Sequence, residues 1–298
     1  MTNEATASSA ITETAAVEED ATNMWYLAIG SMMLPHSYDN RHFYPQKSHP
    51  GELFDFRLGF FSSQGFAEAI PSPGDSLHGV MHRVTAEQMR ELDKIEVGYV
   101  RRIGKARPYG NGSDGQQELV DVTVYCRPDG TNNNEDDNKP PKERYIGIMI
   151  AGAKHFGVDP SYVEYLEKHD FQPRTPPSEF KAFEDPSDKS MEYAQVPASP
   201  GVNGELFFSV NGKVLQLSHP PDSLLGTFLK DAQTKYGPHL EVVWSQTFFD
   251  AKYGVVKDFK DCTQEHSAYI EDMHYRHTEQ HNELQYCKVI GKFSPTSC

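Results

Sequence analysis

One carboxylate stands where the surrounding pattern requires an apolar side chain. In Val84-Thr85-Ala86-Glu87-Gln88-Met89-Arg90-Glu91-Leu92-Asp93-Lys94-Ile95-Glu96, residues Met89, Leu92 and Glu96 follow at i, i+3 and i+7. On a helix that spacing is a single stripe, while Glu87, Arg90, Glu91 and Lys94 fall mostly on the solvated side. An acid on such a stripe is desolvated, and its pKa rises toward the range useful for proton transfer. Breaks of a local rule of this kind concentrate at functional sites. The alternative is a Glu at a frayed helix end that reaches water or a nearby Arg, because helix ends are uncertain by about 1–2 residues. A second pattern lies near the C-terminus. His274, His277 and His281 share a face if that stretch is helical, a spacing able to bind metal. The run His277-Thr278-Glu279-Gln280-His281 has its Glu one place late for HExxH, so a solvated His cluster is expected and no metal site is predicted.

The acid needs a helix, and the sequence supplies its start. Thr85 with Gln88 is a capping box, and Val84 with Met89 has the spacing of a hydrophobic staple. Upstream, Met24-Trp25-Tyr26-Leu27-Ala28-Ile29 is an apolar run of strand length ended by the turn Gly30-Ser31. Further strands are predicted over 53–61, 67–70, 77–83 and 118–125, the last with the alternation of a half-buried antiparallel strand. Residues 107–117 and 127–141 read as polar loops. A helix is predicted over 145–156, with Gly157 a good residue for its end, and another from Pro160-Ser161 carrying Tyr162, Val163, Leu166 and His169. The Pro- and acid-rich stretch 174–203 reads as a linker. Beyond it, Asn211-Gly212 between two apolar runs predicts a hairpin over 205–217, followed by a short helix from Asp222 or Ser223 and a strand over Leu240–Trp244.

Composition narrows the class. The 298 residues carry 28 basic and 43 acidic side chains, a net charge of −15, which argues against nucleic-acid or anionic-membrane partners. The four cysteines (Cys126, Cys262, Cys287, Cys298) are widely spaced and imply reduced thiols. No apolar run approaches the ~18 residues of a membrane span. Residues 1–23 read as a disordered acidic tail, neither a secretory signal nor a transit peptide, and a soluble cytoplasmic protein is expected.

Three segments in order resemble the γ-glutamylcyclotransferase family. Trp25-Tyr26-Leu27-Ala28-Ile29-Gly30-Ser31-Met32-Met33-Leu34 resembles its first strand and YGSN loop. Residues 70–80, running on through Leu92-Asp93-Lys94-Ile95-Glu96, resemble the strand and helix that deliver its acid. Tyr145 and residues 146–154 resemble its late Tyr and the helix that follows. Where that family has Tyr and Asn in the loop this chain has Ile29 and Met32; Val97 replaces a Gly, and Tyr99 follows the acid by only three residues. The resemblance implies intramolecular attack of a glutamyl α-amine on its own γ-carbonyl, forming 5-oxoproline and expelling an amine. No protein nucleophile, metal or cofactor is needed, only one proton carrier and a folded substrate. It makes Glu96 the general acid/base. The substrate would lie against Ile29, Gly30, Ser31, Met32 and Tyr145, with the backbone N–H groups of the Gly-Ser turn holding a carboxylate or oxyanion.

Two weaker likenesses are set aside. Gly74-Asp75-Ser76-Leu77 spells the GDSL esterase signature, but Pro71 and Pro73 precede it where a hydrophobic strand is needed, and Asp272 and His274 have the wrong spacing for the base. The hairpin around Phe208–Lys213 resembles the start of an iron–sulfur domain of the xanthine dehydrogenase type without its cluster cysteines, and suggests at most a β-grasp-like hairpin and helix.

The predicted fold is α+β: a small mixed or antiparallel barrel with flanking helices over 24–173, then a smaller α+β unit over 204–298. The predicted function is cyclisation of a γ-glutamyl amino acid or dipeptide, a small-molecule substrate, by a chain compatible with a homodimer. The alternative is a catalytically silent γ-glutamyl-binding or scaffold protein of the same fold.

Overall fold

The apolar run after residue 22 forms β1 (Asn23–Ala28), with Tyr26, Leu27 and Ala28 buried. It pairs antiparallel with β3 (Phe66–Thr85), from Asn23↔Thr85 to Ala28↔Val80. β3 pairs with β2 (Lys47–Phe61), β2 with β4 (Val100–Pro108) and β4 with β5 (Val120–Cys126), all antiparallel. One parallel bridge, Tyr26↔Thr123, joins β5 to β1 and closes a mixed barrel in the order β1-β3-β2-β4-β5. Closure removes the exposed edges that an open sheet would leave. The computed structural model describes residues 23–61, 65–109, 118–128, 139–184, 190–192, 196, 205–220 and 223–294. The expected acidic tail therefore lies outside the described residues except Asn23, as do most of the two predicted polar loops. The chain divides into two compact units, 1–173 and 174–298.

In the first unit, helices α1 (Pro35–Asp39), α2 (Ala86–Ile95), α3 (Glu143–Phe156) and α4 (Pro160–Glu167) flank the barrel. The capping box opens α2 as expected, with Gln88 N–H donating to Thr85 Oγ1 at 3.1 Å and Thr85 N–H to Gln88 Oε1 at 2.9 Å. Gly157 ends α3 in the left-handed conformation, φ 69°. Two strands expected separately, 67–70 and 77–83, belong to the single β3. The pairing register shifts opposite Asp55, so residues 72–75 bulge out of the ladder and Pro73 breaks none of its bonds. Ser76 lies just after that bulge, exposed, and not at the end of a buried strand as a GDSL nucleophile would. β4 is absent from the sequence reading. Its outward side chains include Arg101, Lys105 and Arg107, and its inward positions include Gly104 and Ala106, so it lacks an apolar signal. At Gly104 a Cβ would lie 2.5 Å from Leu53 Cδ1, so any side chain there would have to displace the Leu53 methyl.

The second unit has a four-stranded sheet in the order β6 (Ser190–Glu192), β9 (Cys287–Ser294), β8 (Lys213–Leu217), β7 (Leu206–Val210). Helices α5 (Leu224–Tyr236), α6 (Leu240–Thr247) and α7 (Gln264–Gln280) complete it. Asn211 and Gly212 have φ 46° and 75°, as a type I′ hairpin turn requires. The strand expected over Leu240–Trp244 is instead the start of α6. Leu240, Val242, Val243 and Trp244 are all buried, so the run shows no polar face from which to read a period of 3.6. The described part of 174–203 packs into this unit, through the ion pair of Arg174 Nη2 with Asp250 Oδ1 (2.5 Å) and the buried ring of Phe183. The His cluster is not solvated as expected. His274 continues the buried stripe Ile270–Thr278 of α7 and is enclosed by Trp244 and Phe183; His277 is half-buried and His281 exposed. Burial holds the His274 imidazole neutral, with its pKa pushed down to about 3. Among the described residues no group of three or more His, Cys, Asp or Glu side chains is arranged to hold a metal ion. No described helix is long and apolar enough to cross a membrane.

Candidate active site

The chain leaves β1 through Ile29 and Gly30 into a 3-10 turn, Ser31–Met33. Three neighbours fix that turn. His82 on β3 holds the Met32 carbonyl at 3.0 Å from Nε2. A carbonyl only accepts, so Nε2 carries the proton; the neutral ring then accepts from Ser48 Oγ through Nδ1, at 2.8 Å. Burial pushes the His82 pKa down to about 4, which keeps this tautomer through the physiological range. The second support is Gly152 of α3, where a Cβ would approach the Met33 carbonyl carbon to 2.7 Å. The third is Tyr145, in the first turn of α3. Its hydroxyl accepts from Ala67 N–H at 3.2 Å, and the Gly30 Cα lies so near that a Cβ would be 2.5 Å from the oxygen. The first N–H groups of a helical turn have no partner within it and carry partial positive charge.

α2 stops one residue short of the acid. Glu96 is the residue that ends it, with φ −86° and ψ 49°, not a further member of the Met89–Leu92 stripe. Its N–H still donates to Leu92 O (2.8 Å), and Tyr99 N–H donates to Glu96 O (3.1 Å) across a turn in which Gly98 has φ 90°. The helix end of the alternative reading is therefore real, but the side chain turns into a cavity and not to open water. Arg101 clamps this end of the helix, donating from Nε to Asp93 Oδ1 (2.7 Å) and from Nη2 to Met89 O (2.8 Å). Tyr125 Oη adds a bond to the same carboxylate at 2.9 Å.

The cavity is about 220 Å³, and Ile29, Gly30, Ser31, Met32, Glu96 and Tyr145 all line it. All six residues named from the sequence thus meet at one place. Tyr26, Arg41, Phe66, Val97, Tyr99 and Tyr125 line it as well. Of these, Tyr99 reaches the wall despite its short distance from Glu96, and Arg41 comes from a stretch with no periodic signal. Arg41 is exposed at the mouth and donates from Nη1 to Ser37 O at 2.7 Å.

Electrostatics single out one group. Desolvation raises the Glu96 pKa, and the Arg41 charge partly opposes it. Burial pushes Tyr99 up to about 12, with the Glu96 charge adding to the shift. Tyr26, Tyr125 and Tyr145 are raised too, chiefly by burial. The phenols therefore stay protonated. Glu96 is the carboxylate of the described lining, and its pKa is shifted upward, the direction a proton carrier needs.

No family model matches the chain, and no curated protein sequence matches it. Among solved structures, the chain is similar to a gamma-glutamyl cyclotransferase at 23% identity, covering 52% of this chain and 92% of that one, with a TM-score of 0.41. An uncharacterised protein from Homo sapiens is similar at 26% identity, with the same 52% and 92% coverage and a TM-score of 0.41. A gamma-glutamyl cyclotransferase specific to glutathione, from yeast, is similar at 13% identity, covering 49% and 94%, with a TM-score of 0.35.

Proposed function

We propose that this chain is a γ-glutamylcyclotransferase, converting a γ-glutamyl amino acid or dipeptide to 5-oxoproline with Glu96 as proton carrier. The observation that carries the reading is the meeting of Glu96 with the Gly30–Met32 turn on one cavity wall. The carboxylate takes a proton from the substrate ammonium, and the freed amine attacks the γ-carbonyl carbon of the same molecule. A C–N bond forms, and the carbonyl oxygen carries the negative charge in the tetrahedral intermediate, where backbone N–H groups of the turn would stabilise it. Collapse breaks the bond to the leaving nitrogen, which receives that proton back from Glu96. The ring nitrogen, still bearing the second hydrogen of the original amine, gives it up to the regenerated carboxylate, which passes it to the departing amine, so that a neutral lactam and an ammonium product leave. The reaction is redox-neutral and intramolecular, so folding the glutamyl chain in the cavity supplies much of the acceleration. Arg41, the basic side chain at the mouth, is suited to the substrate α-carboxylate. Cys262 and Cys287 carry free thiols, which suits a reducing, cytoplasmic setting.

The test is 5-oxoproline release from a panel of γ-glutamyl compounds by the wild-type chain and by Glu96→Gln. A positional general acid/base contributes about 10²–10⁴-fold, so Glu96→Gln lowers kcat/KM at least a hundredfold. A loss of less than tenfold removes Glu96 from the role. No 5-oxoproline from any compound leaves the silent binding reading, which Ile29 and Met32 in the loop favour.

A further inference from the structure

Three exposed apolar side chains are among the residues that line the cavity, and the chemistry says which part of a substrate must pass near Glu96 and its neighbours. Glu96 has to lie within hydrogen-bonding distance of the leaving nitrogen when it returns the proton, about 2.6–3.2 Å. Whatever substituent that nitrogen bears therefore begins beside Glu96 and its covalent neighbours. Those neighbours are Ile95 and Val97, 40% and 80% exposed, and Phe66 joins them at 47% exposure. Three large hydrocarbon side chains open to solvent in the lining of one cavity are an unusual cost for a free surface unless something covers them. The arrangement is not a fraying accident, because the Arg101–Asp93 clamp holds the helix end and the Phe66 ring packs on Tyr145 at 5.4 Å between centroids. Arg41 is the basic residue of the wall, so a second cation for an acidic leaving group is not provided by the described lining.

We infer that Phe66, Ile95 and Val97 form a leaving-group subsite that selects γ-glutamyl derivatives of amino acids with large apolar side chains. This rests on the cyclotransferase reading and deepens it. A bulky hydrocarbon on the departing amino acid covers the three side chains, whereas glycine or a cysteinyl-glycine unit leaves most of their area in water. Discrimination of a missing hydrocarbon group by an apolar pocket is on the order of tenfold or more.

The experiment compares kcat/KM for γ-glutamyl-leucine, γ-glutamyl-phenylalanine, γ-glutamyl-glycine and glutathione, read as 5-oxoproline. The expected order is leucine and phenylalanine above glycine and glutathione by about tenfold. Val97→Asp and Phe66→Ser, from separate segments so that one misfolded variant does not decide the matter, each move the leucine-to-glycine ratio toward one. Equal turnover of the glycine and leucine compounds, or a ratio unchanged in both folded variants, overturns the subsite while leaving the activity standing. No 5-oxoproline from any of the four overturns the activity itself, and the subsite with it.

Discussion

Gly30→Ala places a methyl group 2.5 Å from the Tyr145 hydroxyl oxygen, while the ring carbon bearing that oxygen is 3.6 Å away and the Ala67 methyl 3.7 Å. Only the first separation is repulsive. The hydroxyl cannot swing aside freely, because Ala67 N–H donates to it at 3.2 Å and the ring is tilted edge-on to Phe66. Overpacking of this kind costs about 1–3 kcal/mol. Tyr145→Phe removes the crowded oxygen but strands the Ala67 N–H, at about 1 kcal/mol. With both substitutions the new methyl meets the ring carbon and the Ala67 methyl at ordinary distances, so the pair costs little more than Tyr145→Phe alone. A coupling of about 1–2 kcal/mol is expected from the cycle. Urea unfolding measures it in a Trp244→Phe background, where the remaining Trp25 reports the first unit. If the two losses add to within about 0.5 kcal/mol, the hydroxyl contact does not set the position of the loop.

Arg41→Met removes the charge that opposes desolvation at Glu96. The Glu96 pKa then rises further, and because the ionised form is lost as pH falls, the acid limb of kcat/KM moves to higher pH; an unmoved or lowered limb contradicts the electrostatics. His82, neutral in the fold down to about pH 4 against 6.5 for a free imidazole, costs stability once the unfolded chain binds its proton. The loss begins near pH 6.5, deepens by about 1.4 kcal/mol per pH unit and levels near pH 4. His82→Gln, which keeps a donor for Met32 O, flattens that slope in urea titrations of the first unit; an unchanged slope refutes the assignment. His274 gives the second unit the same sign of dependence, extending toward pH 3, which Trp244 fluorescence follows in a Trp25→Phe background.

Several elements could be read locally because their signals are local. The Thr85 capping box, the Gly157 helix end and the Asn211-Gly212 turn each depend on residues within a few positions of one another. The Glu96 anomaly is legible for the same reason, but its cause differs from the one the spacing suggests: the chain exits the helix at that residue, so the acid faces a cavity without belonging to the apolar stripe. β4 and α6 escaped because their burial is set by neighbours far along the chain. Gly104 and Ala106 look featureless until Leu53 packs on them, and the α6 run looks like a strand until both of its faces are covered.

By itself, then, the sequence determined the turns, the helix starts and the residue types available for proton transfer, all consequences of spacing over one or two helical turns. The tertiary structure alone decided which of those residues meet. Closure of β5 onto β1 and the packing of α3 on the Ser31–Met33 turn bring Tyr145 to Gly30, from positions more than a hundred residues apart. They also place Arg41 and Tyr99 on the same wall as Glu96. The desolvation that tunes the acid is a property of that assembled wall, and no short stretch of sequence contains it.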